Sequence, residues 1–342
     1  MKAVVYSAPR EHQITDIPVP VPGPGDVRIR CRQVGLCGTD VHIHNGEFMA
    51  EFPLIPGHEL DGTVDALGDG VAGLSVGEQV TVNPNVHCGL CAYCRAGRLI
   101  LCENLKGMGS NYPGFFAEHV TVPAALVFST EGLAPDVAVF SEPAACAMHG
   151  LENLGVRPGS SALVLGAGPT GLLLAQFIAS GGAASVTVAA PSSHKLETAK
   201  GLGLDRTVLI TRGDPDASLS LLRDASPGSD GYDYVVEATG SAEVGAMCVP
   251  LTRNGGTVLV YGVTGHADTV AFHPFDVFRR EITIKGSFAE ITSFAAAIAA
   301  LKGGRARTDG IITHRFGLDD YPAALEAVAS GAGVHKVVIE CS

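Results

Sequence analysis

Apolar residues fall in short runs along the whole chain, and the spacing of these runs changes twice. Up to about Ser141 they are β-like and divided by Gly and Pro, as in Met1 to Tyr6, Asp26 to Cys31 and Gly62 to Leu67. Strands of this length between Gly/Pro turns predict an antiparallel, barrel-like domain. Pro18, Pro20, Pro22 and Pro24 mark a stiff extended segment at its surface. The middle of the chain then alternates fully apolar runs with helical ones. Ser161 to Leu165 predicts a buried strand, Thr170 to about Ser180 a helix, Ser185 to Ala189 a strand, and Lys195 to Leu202 a helix. Further strands are expected at Thr207 to Ile210, Tyr234 to Val236, Thr257 to Tyr261 and Ile282 to Lys285. Strands alternating with helices give a parallel, doubly wound sheet with right-handed crossovers, a Rossmann-type α/β domain. After Ser287 an Ala-rich helix from Ile291 to Leu301 and a strand at Val337 to Ile339 return the chain to the first domain. The expected division is 1–143 with 289–342, and 144–288.

One stretch imitates a membrane span. Pro158 to Ser193 contains no Asp, Glu, Lys or Arg. Gly166, Gly168, Pro169, Gly171, Gly181 and Gly182 interrupt it, and such breaks in lipid would leave backbone groups unpaired. A buried strand, helix and strand explain it better.

Composition narrows the function. The 342 residues are 46% hydrophobic and 17% charged, which suits two globular cores. A net charge of -12 argues against nucleic acid and anionic membrane surfaces as partners. No charged segment followed by a long apolar run opens the sequence, so no secretory signal is expected. Nine cysteines then read as a reduced, cytoplasmic inventory in which metal binding or catalysis is favoured over disulfides.

Four of them, Cys88, Cys91, Cys94 and Cys102, form C-x2-C-x2-C-x7-C. Four thiolates in one small loop suit a closed structural zinc; an iron–sulfur cluster would take the same ligands. Cys37, His58 and Glu59 are a thiolate, an imidazole and a carboxylate, about the three ligands that a catalytic zinc takes while leaving a position open. Thr39 places a hydroxyl two residues from Cys37, where an alcohol needs a proton acceptor. Glu142, near the expected domain junction, is a further candidate ligand, direct or through water. Cys31, Cys146, Cys248 and Cys341 carry no ligand pattern and are expected to be packing residues.

Gly166-Ala167-Gly168-Pro169-Thr170-Gly171 fits G-x-G-x-x-G between a strand and a helix, the context in which that motif binds a dinucleotide. The first Gly makes the turn, the second admits the pyrophosphate and the third packs helix on strand. The acid that grips a ribose 2′-hydroxyl is expected about 20 residues on. The strand instead ends in Ala190, followed by Ser192, Ser193 and Lys195, which could donate to a 2′-phosphate. This favours NADP over NAD.

Taken together, Gly35 to Asp40, Gly57-His58-Glu59, the four-Cys loop, Glu142-Pro143 and the Gly166–Gly171 turn resemble, in that order, the zinc-dependent medium-chain dehydrogenase/reductase superfamily. Glu142, where liver- and yeast-type alcohol dehydrogenases carry Cys, and the run Phe272 to Glu281 resemble its polyol branch of sorbitol, arabinitol and threonine dehydrogenases. The resemblance implies a GroES-like catalytic domain, a catalytic zinc on Cys37, His58 and Glu59 with Glu142 nearby or alternating with Glu59, and a structural zinc on the four cysteines. It implies a Thr39 proton relay, nicotinamide contacts around Gly262, Val263, Thr264, Ser287 and Phe288, and a homodimer or homotetramer. Ala190 departs from the Asp of NAD-using relatives, and Lys195 stands where many relatives have Arg.

The expected reaction interconverts a secondary alcohol and a ketone by hydride transfer to NAD(P), with Thr39, and His42 or His44, passing the proton outward. A non-catalytic nucleotide-binding protein on the same fold is the alternative from another class, but it would be free to lose the zinc ligands. A threonine-type amino-alcohol dehydrogenase is the alternative within the enzymes. A zinc-free quinone reductase conflicts with the ligand set.

Overall fold

Alternation sets the strand on which the first unit is built. In Asp26–Leu36, Val27, Ile29 and Cys31 are buried while Arg28 and Arg30 lie outward, and from Gln33 onward every side is covered. The strand is therefore interior at the end that leads to Cys37. The computed structural model describes residues 1–228 and 230–341. It divides into two compact units. One comprises Met1–Ala145, Glu290–Gly303 and Ile311–Ser342; the other comprises Cys146–Ala289 and Gly304–Gly310. The first division falls within the helix Ser141–Leu154.

The first unit is a seven-stranded sheet in the order Ile312–Gly317, Lys336–Glu340, Asp26–Leu36, Glu59–Leu67, Gln79–Val82 and Val127–Ser129, with His119–Pro123 also on Asp26–Leu36. All pairs are antiparallel except the first. Register matters at one point: Gly35 lies opposite both Glu59 and Val338. The core gathers Tyr6, Ile29, Val34, Leu36, Phe115, Phe116 and Tyr321.

The second unit is a six-stranded parallel sheet, Arg206–Leu209, Ser185–Ala190, Ser161–Leu165, Tyr232–Glu237, Thr252–Val260 and Thr283–Gly286. Counted along the chain the order is 3-2-1-4-5-6, the doubly wound arrangement. Ser161–Leu165 is buried along its whole length, as a central parallel strand must be. The charge-free stretch resolves into that strand, the helix Pro169–Ser180 and the strand Ser185–Ala190. Among the described residues no helix is long and apolar enough to cross a membrane.

The apolar pattern does not mark the helices Pro215–Asp224, Ala242–Leu251 and Tyr321–Ser330. The first two carry local signals: Asp214 accepts from Ala217 N at 3.0 Å and Ser241 accepts from Val244 N at 3.5 Å, both as N-caps.

Candidate active site

Strand Asp26–Leu36 delivers Cys37 to the start of the short helix Gly38–His44, where Cys37 is the N-cap. Asp40, one turn in, returns its Oδ2 to Cys37 N at 2.9 Å, which fixes the thiol at the end of the strand. Gly57, at φ +92°, turns the chain in a left-handed conformation beside the Phe116 ring and presents His58. Glu59 opens the next strand, opposite Gly35.

One donor atom each from Cys37, His58 and Glu59 lies within 4.8 Å of the others. His58 Nε2 is 4.0 Å from Glu59 Oε1, and His58 Nδ1 is 3.7 Å from Asp40 Oδ1. That Asp40 oxygen is buried without a hydrogen bond. A buried carboxylate oxygen aimed at the far nitrogen of the imidazole is the arrangement that orients a metal-binding His, so the residues present fit a zinc ion. Burial opposes the His58 charge, but Asp40, Cys37 and Glu142 outweigh it and raise its pKa well above the usual imidazole value. Lys336, only 4% exposed at its side chain, pairs with Glu59 Oε2. Burial opposes its charge too, but Glu59, Cys37 and Asp40 keep the ammonium above its ordinary value.

Glu142 lies in the first turn of Ser141–Leu154, buried. It acts on His58 electrostatically and is not one of the three converging donors. Thr39 Oγ1 is 3.7 Å from Cys37 Sγ. The two relay candidates separate. His42, one turn beyond Thr39, has Nδ1 2.6 Å from Glu47 Oε2, whereas His44 Nδ1 lies 2.9 Å from the Tyr6 hydroxyl within the aromatic cluster.

The four sulfurs of Cys88, Cys91, Cys94 and Cys102 also lie within 4.8 Å of one another. Backbone N–H groups converge on them: Leu90 N and Cys91 N donate to Cys88 Sγ at 3.4 Å, Cys94 N to Cys91 Sγ at 3.5 Å, and Cys88 N and Asn104 N to Cys102 Sγ at 3.3 Å. Donors aimed at sulfur favour thiolates, and those from Leu90 and Cys91 bring Cys88 down to about 6. The four fit a tetrahedral zinc. No cysteine is in a disulfide among the described residues. Cys31, Cys248 and Cys341 are buried, and burial pushes Cys341 up to about 12, which makes it an inert packing thiol.

In the second unit the glycine-rich turn follows Ser161–Leu165. Gly166 has φ +125° and sits against the Ala238 carbonyl, and a Cβ on Gly171 would fall 2.3 Å from Gly166 O. Gly168 differs: its φ is -75°, and a Cβ there would meet nothing within 4 Å. Its lack of a side chain leaves open space at the N-terminus of Pro169–Ser180, with Thr170 in that first turn, where a pyrophosphate would lie. Ala190 ends Ser185–Ala190, and its carbonyl accepts from Ile210 N. Ser192 stands at the N-cap position of the helix Ser193–Gly201, its hydroxyl 2.7 Å from His194 Nδ1. Burial and Arg212 lower the pKa of Lys195.

Gly262, Val263 and Thr264 follow Thr252–Val260, and Ser287 and Phe288 follow Thr283–Gly286. Ser287 accepts from Asn153 Nδ2 at 3.1 Å, while Val263 and Phe288 are exposed. Glu237, absent from the sequence expectations, ties Gly262 to the turn at Thr239 and Gly240. Its carboxylate accepts from Thr239 N at 2.7 Å and Gly240 N at 3.1 Å, and its carbonyl accepts from Gly262 N at 2.8 Å. Asp40 and Lys336 take their roles from the fold: the capping spacing from Cys37 to Asp40 is a sequence signal for the first, but only strand register brings in the second.

Two sequence families match. Residues 23–132 match the alcohol dehydrogenase GroES-like domain and residues 169–303 the zinc-binding dehydrogenase domain. The chain is 40% identical to D-arabinitol dehydrogenase 1 of Uromyces fabae over 96% of its length and 94% of the relative's. It is 34% identical to D-altritol 5-dehydrogenase of Agrobacterium fabrum, covering 94% of each. A zinc-binding dehydrogenase of Sinorhizobium meliloti 1021 bound to NADP superimposes with a TM-score of 0.93 at 32% identity, covering 99% of this chain and 98% of that one.

Proposed function

Since this chain belongs to the zinc-dependent medium-chain dehydrogenase/reductase family, polyol branch, we propose that it interconverts a secondary alcohol of a polyol or sugar alcohol and the corresponding ketone. The convergence of Cys37, His58 and Glu59 carries the reading. A non-catalytic nucleotide binder has no use for this donor set or for Asp40 aimed at its histidine.

We assign zinc to Cys37, His58 and Glu59, a second zinc to Cys88, Cys91, Cys94 and Cys102, and NAD(P) to the glycine-rich turn. When bound, the first zinc supplies Lewis acidity that acidifies an alcohol, and NAD(P) supplies the hydride acceptor. Asp40 holds the His58 ring by its Nδ1 side, so that Nε2 faces the donor set. Thr39, beside Cys37, takes the alcohol proton at Oγ1 while giving up its own. His42, oriented by Glu47, takes that proton outward. His44, occupied by Tyr6, is the weaker relay. Glu142 tunes His58 by charge, as a ligand held in reserve. The absence of an acid at Ala190, together with Ser192, Ser193 and Lys195, supports NADP over NAD.

A homodimer or homotetramer fits the outer strand of the parallel sheet. Ile284 lies on that terminal strand Thr283–Gly286 and is exposed, as are Phe275 and Phe278 nearby in the chain. A reducing cytoplasm fits nine cysteines, none of them in a disulfide among the described residues.

The test is a panel of polyols, sugar alcohols and threonine with NAD and NADP, run on wild type and on Cys37→Ser and His58→Ala. Turnover is expected with a polyol in wild type and lost at least a thousandfold in both variants, while cofactor binding persists. Wild-type rates in a variant that has lost this zinc would overturn the assignment; threonine as the best substrate would move it to the amino-alcohol reading.

A further inference from the structure

Three neighbouring strands bring one buried cation to the donor set. Gly35 lies opposite Glu59 on one side and opposite Val338 on the other, and Lys336 sits two residues before Val338 on the same face. The Lys336 side chain is 4% exposed and that of Glu59 1%. The carboxylate is divided between two neighbours: Oε2 is against Lys336 Nζ, while Oε1 is 4.0 Å from His58 Nε2. Gly35 makes room for this. A Cβ there would fall 2.0 Å from Glu59 Oε2 and 2.9 Å from Lys336 Cε. Burying an ammonium costs several kcal/mol unless it is closely paired, so a lysine placed here has a specific partner to hold.

We propose that Lys336 is a positioning residue for the zinc site: it reserves Glu59 Oε2, so that Oε1 alone faces Cys37 and His58. A carboxylate released from the lysine could turn both oxygens to a metal and occupy the position an alcohol needs. The proposal rests on the assignment of zinc to Cys37, His58 and Glu59.

The experiment compares wild type with Lys336→Met, Lys336→Gln and Lys336→Arg, by zinc content, thermal midpoint, kcat and KM, and the visible spectrum after cobalt(II) replaces zinc. Lys336→Met is expected to keep two metals, lose at least 100-fold in kcat, and show weaker cobalt d–d bands, as a higher coordination number gives. Lys336→Arg is expected to restore the wild-type spectrum and most of the rate. Lys336→Gln serves if Lys336→Met does not fold. An unchanged spectrum and kcat in a folded Met or Gln variant overturns the proposal, and so does failure of both neutral variants to fold, which would make Lys336 structural. A wild type holding only one zinc, on the four cysteines, instead overturns the underlying metal assignment.

Discussion

Asp40 Oδ1 lies 3.7 Å from His58 Nδ1, and the other oxygen of the same carboxylate accepts from Cys37 N at 2.9 Å. One buried acid therefore holds the backbone of one converging donor and faces the imidazole of another. Asp40→Asn keeps an oxygen for the Cys37 N–H but removes the charge facing His58. The expected result is a loss of roughly 10- to 100-fold in zinc affinity at this site with little change in thermal midpoint. Competition against a chelator reads the first and calorimetry the second. Undiminished zinc retention would show that His58 needs no such partner.

Cys91→Ser should damage stability far more than chemistry. A structural zinc contributes folding free energy directly. Loss of one zinc is expected, with a midpoint about 10 °C lower, corresponding to ~3 kcal/mol for a unit of this size. An unchanged midpoint with two zinc still bound would count against a structural site.

Ala190 bears on the choice of cofactor. Wild type is expected to show a better kcat/KM with NADP, by about tenfold to a hundredfold, since a charge-assisted contact to phosphate is worth roughly 1.5–3 kcal/mol. Ala190→Asp should swing preference to NAD by accepting from the 2′-hydroxyl and repelling the phosphate. Paired assays decide it: a wild type tenfold better with NAD would mean that the ribose is gripped elsewhere.

His12 stacks on Tyr6 at 4.9 Å, and burial lowers its pKa below the usual 6.5. Burial does the same to His44 and His119. Below pH 6.5 the unfolded chain then binds protons that the folded one refuses, so stability falls as pH drops through that range towards the folded pKa values. Denaturant titrations of the zinc-loaded protein at pH 7.5 and 5.5 should show this loss, and His12→Asn should flatten the slope by up to one proton. A slope unaltered by the substitution would clear His12 of any part in it.

Features defined by local spacing were legible in the sequence. The four-Cys loop and the strand–turn–helix around Gly166 each occupy one short segment, and the alternation of strands and helices repeats such segments in order. The Cys37–His58–Glu59 set was legible only through its residue types. Glu237, Asp40 and Lys336 illustrate the remainder. Lys336 is one lysine ahead of an apolar strand, and nothing near it in the chain announces Glu59. Its role depends on which strands pair and in what register, information spread over the whole fold. Glu142 was legible by its residue type as a residue near the site, and the folded chain holds it within electrostatic range of His58.

The sheet that seats Lys336 beside Gly35 has a consequence for biosynthesis. Gly35 and Glu59 emerge early, but Lys336 follows Gly35 by about 300 residues. At ~5–20 residues per second, the ribosome leaves the early strands waiting roughly 15–60 s for their partner. The six strands of the parallel sheet, which end at Gly286, are all made before then. Until the late strand arrives, Glu59 has no Lys336 to face and its carboxylate stays hydrated. Closure of the sheet around Glu59 therefore waits for a strand made about 300 residues after Gly35, and a chaperone would act on the open sheet during that interval.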